Sequence, residues 1–214
     1  MAPGGDRWRA RLLGRFALVT SADPDERAGD KRTARLTLLA RRRARPEAER
    51  RTARDAISAA LLTFVRDARV VCGYLPLGTE PLALDLPALL AARGISVLLP
   101  RAREGEPLDW CASGFGSRRG AFGIDEPLGP SLGAEAARLA DVVLVPALAV
   151  DRRGYRLGRG GGHYDRTLAL IGAGARTVAV VFDDEVVDAV PVGRFDVPVR
   201  FVVTPSGGVE PLPR

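Results

Sequence analysis

Helix-type and strand-type hydrophobic patterns alternate along most of the chain. Between Glu47 and Ala68 apolar residues recur three and four positions apart, which predicts a core helix opened by Pro46. Its predicted inward positions are Ala53, Ala56, Ile57, Ala60, Leu61, Phe64, Val65 and Ala68. Before it, we expect a helix that begins at Lys31 with Asp30 as its N-cap. Its cationic stripe is Lys31, Arg35 and Arg42, and its apolar side is marked by Leu36, Leu39 and Ala40.

Short apolar runs after this helical pair predict a sheet. The strands expected from these runs are 69–75, 95–100, 141–150, 177–183 and 199–205, and the helices between them are 83–93, 133–140 and 163–171. The run 141–150 is apolar throughout, as is typical of a parallel strand buried on both faces. We therefore predict a single-domain α/β fold. Its mainly parallel sheet is covered by helices on both faces and is preceded by the N-terminal helical pair.

Composition supports one globular domain, because 214 residues with 46% apolar and 27% charged residues can bury a sizeable core. No run of 18 apolar residues is present, so no membrane-spanning segment and no membrane partner are expected. The two cysteines, Cys72 and Cys111, are expected to be reduced thiols in a cytoplasmic protein. Residues 1–29 lack lasting periodicity and carry Arg15 within their short apolar stretch, so we predict a flexible extension rather than a secretory signal. The folded domain is expected to be 30–214.

Positive charge is concentrated at the beginning of the chain. The net charge is +6, and the first 56 residues carry 15 Lys or Arg against 8 Asp or Glu. This suggests a nucleic-acid-binding accessory protein as one alternative. That region holds only Trp8 and Phe16 as aromatic residues and no recognisable binding motif, so no nucleic-acid partner is expected. Lys31 is the only lysine in an Arg-rich chain, which makes it a candidate for a site that needs a compact ammonium group.

The segment with the most chemical information is 151–165, between a predicted buried strand and a helix. Its glycines are Gly158, Gly160, Gly161 and Gly162, and they allow positive φ and close backbone approach. Successive N–H groups of such a loop can hold a phosphate, while Arg156 and Arg159 add charge. Asp165 places a carboxylate beside this phosphate site, an arrangement that suits a bridging Mg²⁺ ion.

This loop is neither a Walker A motif nor a dinucleotide fingerprint, because the residue types and spacing differ from both. From composition alone, a tight structural turn remains an alternative. For His163 alone, an ordinary loop histidine is favoured over a catalytic base. Gly129, outside the loop, is expected to tolerate replacement by Ala.

Residues 145–168, VPALAVDRRGYRLGRGGGHYDRTL, resemble the signature of the 5-formyltetrahydrofolate cyclo-ligases, also called 5,10-methenyltetrahydrofolate synthetases. Further blocks resemble the family in the same order, namely 31–35, 74–80, 122–127 and 182–204. The resemblance therefore extends over about 31–205 and leaves the predicted extension outside.

The resemblance implies an ATP- and Mg²⁺-dependent ligase that converts 5-formyltetrahydrofolate to 5,10-methenyltetrahydrofolate. We expect the protein to be a monomer. It implies that ATP is bound by Lys31, Arg35, Arg156, Leu157, Gly158, Arg159, Gly160, Gly161, Gly162, His163 and Tyr164. It implies that the folate is bound by Leu75, Glu80, Arg159, Gly160, Gly161, Gly162 and His163. Arg159 and Tyr164 would be catalytic, and Asp165 and Asp196 would hold Mg²⁺.

The sequence departs from the family pattern at several positions. Val150 stands where an aromatic residue is usual, Ala83 where Thr is frequent, and His163 where the first Tyr of a Tyr-Tyr pair is usual. The closing Pro-x-Glu-x-His-Asp element carries Gly193 and Phe195 at its Glu and His positions. A catalytically weak folate- or nucleotide-binding relative is therefore the alternative function.

Overall fold

The computed structural model describes residues 24–120 and 123–213. Its α-helices are Pro24–Ala44 (α1), Glu47–Phe64 (α2), Leu86–Ala91 (α3) and His163–Leu168 (α4), and two 3₁₀ helices span Ala134–Leu139 and Asp183–Glu185. The strands are Val70–Cys72 (β1), Ser96–Arg101 (β2), Asp109–Ala112 (β3), Ser117–Arg119 (β4), Asp125–Pro127 (β5), Val142–Pro146 (β6), Ala149–Asp151 (β7), Arg156–Leu157 (β8), Arg176–Val180 (β9), Val186–Val187 (β10), Phe201–Thr204 (β11) and Gly208–Pro211 (β12).

A seven-stranded sheet with the order β12-β11-β9-β6-β1-β2-β3 forms the centre of the fold. The five inner strands pair in parallel, and the edge strands β3 and β12 are antiparallel to their neighbours. One core, which contains Ile57 of α2 and Leu90 of α3, covers the first face of the sheet. A second core, which contains Ala137 of the first 3₁₀ helix and Leu168 of α4, covers the opposite face. The predicted α/β fold class is confirmed.

The order of the strands changes direction beside β1. From β1 the chain passes through α3 to β2 on one side, whereas β6 pairs with β1 on the other side. In parallel sheets the loops that follow two such strands diverge and leave a crevice at their carboxyl ends. The loops after β1 and β6, which begin at Gly73 and Ala147, therefore flank the expected place for a ligand.

Helix α1 begins at Pro24, so the predicted start at Lys31 with Asp30 as N-cap is wrong. Proline suits the first turn of a helix because its missing N–H would have no intrahelical acceptor there. Asp30 lies inside the helix instead. Residues 1–23 of the predicted extension lie outside the described residues, and the division of the chain at residue 30 stays a prediction.

The apolar run 141–150 is two strands and not the single predicted strand. β6 ends at Pro146, and β7 belongs to a separate three-stranded sheet with the order β10-β7-β8. Both strands are buried, so their hydrophobic pattern carried no sign of the break. Helix α1 packs on the smaller sheet through a core of Ala34, Leu38, Leu148, Ala149, Leu157 and Val190. This packing places Lys31 and Arg35 of α1 beside the glycine-rich segment.

The helix predicted from the clearest periodicity is confirmed. α2 follows Pro46, and its predicted positions Ala53, Ile57 and Leu61 are buried. The later helices are shorter than predicted, and the segment 133–140 forms a 3₁₀ helix. The strands that were not predicted are β3, β4, β5, β8, β10 and β12. Most are edge strands or two-residue pairs, which bury too few positions to show a period in the sequence.

The expectation that Gly129 tolerates Ala is wrong, because a Cβ atom there would lie 2.0 Å from the carbonyl oxygen of Ala112. Cys72 and Cys111 are both buried and free, as expected of reduced thiols. Among the helices of the described ranges, none has the length and apolar character needed to cross a membrane.

Candidate functional site

A cavity of about 330 Å³ opens at the carboxyl ends of β1 and β6. Every site residue that the sequence analysis named lines it. These residues are Lys31, Arg35, Leu75, Glu80, Arg156, Leu157, Gly158, Arg159, Gly160, Gly161, Gly162, His163, Tyr164, Asp165 and Asp196. They come from α1, from the loop after β1, from the β8–α4 connection and from the loop before β11. The fold thus brings together residues that are up to 165 positions apart in the chain.

The glycine loop 158–162 joins β8 to α4 and forms one wall of the cavity. Gly160 and Gly162 have φ values of 110° and 66°, a region that disfavours residues with a side chain. Arg35 Nε donates to the carbonyl oxygen of Gly158 at 2.9 Å, and Arg166 Nη2 donates to that of Gly161 at 2.7 Å. The loop is therefore fixed by arginines that hold its carbonyl groups.

Two carboxylates of the cavity are each paired with a cation. Lys31 Nζ lies 2.8 Å from Asp196 Oδ2, with 21% of each side chain exposed. Arg156 Nη2 donates to Asp165 Oδ1 at 2.7 Å. The backbone N–H groups of Gly193 and Val197 donate to the same two oxygens, at 2.8 and 3.2 Å. Within the described residues, neither Asp196 Oδ1 nor Asp165 Oδ2 receives a hydrogen bond, so each carboxylate retains one oxygen for a ligand.

Positive charge dominates the end of the cavity that the glycine loop borders. The side chain of Arg156 is nearly buried, and burial lowers the pKa of Arg156 while the negative charge of Asp165 opposes this effect. Burial also lowers the pKa of Arg35, opposed by Asp196. Partly desolvated cations interact more strongly with an anion than cations in water do. This end of the cavity therefore suits a polyanion such as a chain of phosphates.

Glu80 provides the acceptor group at the other end. Its carboxylate is buried, and its Oε2 accepts a hydrogen bond from the N–H of Leu77 at 2.9 Å. Arg159 Nε lies 3.4 Å from Glu80 Oε1, and the Arg159 side chain is 40% exposed. This long contact leaves Arg159 able to turn toward a bound anion. Leu75 and Leu77 supply apolar lining near the carboxylate.

Sequence reasoning missed several groups that shape this cavity. The hydroxyl group of Tyr74 is buried there, as is that of Tyr164, which the sequence analysis named, and neither has a hydrogen-bond partner among the residues described. The carbonyl oxygen of Glu106 accepts from Arg166 Nε at 3.1 Å and lies 3.1 Å from His163 Nδ1, so the loop before β3 is held against α4, directly after the glycine loop. Tyr74 could have been identified from the sequence, because it directly precedes the predicted folate-binding residue Leu75. Glu106 could not, because it makes its contacts through its backbone carbonyl group.

Of the three residues in the predicted cationic stripe, Arg42 is the one that does not line the cavity. Its side chain is buried in a bidentate ion pair with Glu185, in which Nε lies 2.7 Å from Oε1 and Nη2 lies 2.7 Å from Oε2. Nη2 also donates to the carbonyl oxygen of Ala147, a residue of the cavity wall. Burial raises the pKa of Glu185, and the hydrogen bonds and charge of Arg42 oppose that effect. Arg42 therefore fastens α1 behind the cavity, whereas Lys31 and Arg35 border the cavity itself.

Comparison with known proteins gives a consistent result. The model of the 5-formyltetrahydrofolate cyclo-ligase family matches residues 27–205. A 5-formyltetrahydrofolate cyclo-ligase of Mycolicibacterium smegmatis is 45% identical over 184 residues, which cover 83% of this chain and 95% of that protein. The NMR structure of Aquifex aeolicus 5,10-methenyltetrahydrofolate synthetase superimposes with a TM-score of 0.70 at 30% identity, over 86% of this chain and 93% of that one. A 5,10-methenyltetrahydrofolate synthetase from Mycoplasma pneumoniae shares the fold, with a TM-score of 0.64 at 20% identity over 81% and 97% of the two chains. From the signature, the fold and these relatives, the chain belongs to the 5-formyltetrahydrofolate cyclo-ligase family.

Proposed function

We propose that this protein converts 5-formyltetrahydrofolate to 5,10-methenyltetrahydrofolate and hydrolyses ATP to ADP and phosphate in the process. The observation that carries the proposal is that one cavity joins a cationic, glycine-lined end to a buried carboxylate end. A nucleoside triphosphate suits the cationic end, and the donor edge of a pterin ring suits the carboxylate end. The two substrates would thus meet within a single cavity.

The chemistry requires ATP because a formamide oxygen is a very poor leaving group. In the proposed reaction the formyl oxygen attacks the γ-phosphorus, and the bond to the ADP oxygen breaks. N10 then attacks the carbon of the resulting iminophosphate and loses its proton, after which the carbon–oxygen bond breaks and phosphate leaves. Such phosphoryl transfer is catalysed mainly by positioning and by stabilisation of the transferring charge.

We assign the phosphates of ATP to the cationic end. Lys31 and Arg35 border it from α1, and the glycine loop and Arg159 border it from the other side. Arg156 already donates to Asp165 and to the carbonyl oxygen of Val197, so we infer that it acts through charge and by orienting Asp165. Arg159, which has only a long contact with Glu80, would turn to the phosphoryl group and leave Glu80 to the pterin. Tyr164 would contact the formyl group from the α4 side.

Asp165 and Asp196 suit a Mg²⁺ ion that the protein and the nucleotide would bind together. Mg²⁺ usually takes one or two carboxylates together with substrate phosphates and water. Each of these carboxylates keeps one oxygen without a hydrogen bond among the described residues, and no cluster of three or more His, Cys, Asp or Glu side chains there could hold a metal by itself. Bound Mg²⁺ would neutralise charge on the transferring phosphoryl group.

We infer further that the protein works as a monomer in the cytoplasm and that it has no nucleic-acid partner. The departures at Gly193 and Phe195 are compatible with activity. The Gly193 N–H holds Asp196, and the Phe195 side chain is 70% exposed. The alternative function, that of a catalytically weak relative, is therefore the less favoured hypothesis.

An absorbance assay tests the proposed function. The methenyl product absorbs at longer wavelength than the formyl substrate, so turnover is read directly from purified protein with 5-formyltetrahydrofolate, ATP and Mg²⁺. We expect product formation that requires both ATP and Mg²⁺. Tight binding of folate or ATP with no product over hours would instead support the catalytically weak relative.

Replacing Lys31 with Ala is expected to raise the KM for ATP about tenfold, because the variant loses a compact charge at the phosphates. Lys31→Arg should restore only part of this loss, since a planar guanidinium cannot occupy the same point. Initial rates against ATP concentration measure both effects. The matched control is Arg32→Ala, whose side chain is exposed on the same helix. Equal ATP saturation in Lys31→Ala and Arg32→Ala would mean that Lys31 serves only to pair with Asp196.

Replacing His163 with Tyr, the residue usual in the family, is expected to keep kcat within about threefold of the native value. General bases commonly contribute 10²–10⁴-fold to a rate, and the proposed phosphoryl step uses no protein base. The imidazole has instead a contact with the Glu106 carbonyl. Measurement of kcat between pH 6 and 8 provides the check. A loss of about 10²-fold or more in the variant would require a mechanism built around the histidine.

A further inference from the structure

Tyr74 has a hydroxyl group that finds no hydrogen-bond partner among the described residues. The residue follows β1 at the crevice, its side chain is 4% exposed, and its ring belongs to the core that also contains Leu82 and Leu86. The hydroxyl oxygen is buried, has no hydrogen bond to any described residue, and belongs to a side chain that lines the cavity. A buried polar group without a partner is destabilising, and phenylalanine would avoid that cost. This cost is offset if the partner is a ligand in the cavity.

The surroundings of Tyr74 make its hydroxyl a donor. Burial raises the pKa of Tyr74 well above its ordinary value, and the negative charge of Glu80 acts in the same direction. Tyr164 and Glu185 add to this effect, and Arg42 opposes it. The phenol therefore keeps its proton at neutral pH and can donate to an acceptor on the ligand. Tyr74 and Glu80 both lie on the segment that follows β1 and both line the cavity, so the segment supplies a donor and an acceptor to one ligand.

A pterin ring has the complementary pattern. Its 2-amino group and N3–H are donors, and the oxygen at position 4 beside them is an acceptor. We propose that, when Glu80 accepts from the donor edge of 5-formyltetrahydrofolate, the Tyr74 hydroxyl donates a hydrogen bond to the 4-oxo oxygen. This inference rests on the proposed function and adds to it a residue that selects a 4-oxo over a 4-amino ring.

The formyl oxygen is the less suitable acceptor for Tyr74. In the proposed reaction that oxygen must attack ATP, whose phosphates are assigned to the glycine loop and Lys31. The tyrosine assigned to the formyl group is Tyr164 of α4, which also lines the cavity. Tyr74 comes from the strand end that carries Glu80 and not from the glycine loop, so the 4-oxo group is the acceptor that fits both ends of the cavity.

The test compares two ligands and two tyrosines. The dissociation constants of 5-formyltetrahydrofolate and of its 4-amino counterpart are measured by calorimetry without ATP, for the native protein, for Tyr74→Phe and for Tyr155→Phe. A lost hydrogen bond of ordinary strength corresponds to about tenfold in affinity. We expect Tyr74→Phe to bind the 4-oxo ligand about tenfold more weakly and the 4-amino ligand no more weakly than the native protein does. Tyr155, which stacks with Arg153 and does not line the cavity, should show neither change.

Thermal unfolding without ligand separates a ligand contact from a structural one. Because the hydroxyl has no partner in the described fold, Tyr74→Phe should unfold at the same temperature as the native protein or at a higher one. A lower Tm, unchanged affinity for the 4-oxo ligand, or an equal loss for both ligands would each overturn the proposal. If the native protein neither bound nor converted 5-formyltetrahydrofolate, the proposed function would fall and this inference with it. An active native protein with an unaffected Tyr74→Phe variant would remove only the inference.

Discussion

Replacing Asp165 with Asn is expected to lower kcat by about 10²-fold or more, because the variant loses a negative ligand at the transferring phosphoryl group. The side chain would keep its shape, and its amide oxygen could still accept from the Val197 N–H. It would no longer neutralise the nearly buried Arg156. The variant should also need more Mg²⁺ for half-maximal rate, which initial rates over a Mg²⁺ series measure directly.

The Mg²⁺ series separates the two tasks of Asp165. If this carboxylate only orients Arg156, kcat falls while the Mg²⁺ dependence stays as in the native enzyme, and the metal assignment is then wrong. Asp188→Asn provides the matched control, because Asp188 is exposed and is not among the cavity residues. That variant should retain the native rate and the native Mg²⁺ dependence.

Replacing Arg42 with Met is expected to lower the free energy of unfolding by about 3–5 kcal/mol, the usual cost of removing one partner of a buried ion pair. Glu185 would remain in the core, with 2% of its side chain exposed, opposite an apolar group. The carbonyl oxygen of Ala147 would lose its donor as well. Urea denaturation, followed by circular dichroism, gives the difference from the native protein.

The double variant Arg42→Met/Glu185→Leu tests the reason for that loss. Apolar residues often replace a buried ion pair without net cost, so the double variant should recover part of the lost stability. The carbonyl oxygen of Ala147 and the N–H of Phe182 would still lack their native partners. As a surface control, Arg138→Met breaks the exposed pair between Arg138 and Glu135 and should leave the urea midpoint unchanged. If Arg42→Met and Arg138→Met had equal midpoints, the Arg42–Glu185 pair would contribute nothing measurable.

The parts of the site that the residue pattern itself revealed lie mostly close together in the chain, whereas Leu75, Glu80 and Asp196 were named from the family resemblance. The glycines 158–162, with Arg156, Arg159 and Asp165, occupy one segment whose spacing is specific, and the structure places them on one wall of the cavity. The apolar period of α2 was equally clear because its buried positions are all within one helix. Lys31 was identified because it is the only lysine in the chain, and it does line the cavity.

The remaining parts depend on which distant residues meet. Arg42 and Lys31 occupy similar positions in the same cationic stripe, yet one meets a buried Glu185 and the other Asp196 at the cavity. Helical spacing predicts which face of a helix a side chain occupies, but not which element packs against that face. The break after Pro146 was hidden for a similar reason, because β6 and β7 are apolar strands of two different sheets. The sequence also cannot show that a side chain such as Tyr74 lacks a hydrogen-bond partner among the described residues.

The contacts of α1 have a consequence for how the chain folds during synthesis. Lys31, Arg35 and Arg42 contact residues that are 165, 123 and 143 positions further along the chain. During synthesis, α1 must therefore wait without these partners until the residues up to Asp196 have left the ribosome. Long-range contacts of this kind slow folding and leave early segments open to unwanted association. We expect the nucleotide end of the cavity to be the last part of the protein to assemble, after the sheet that supports it.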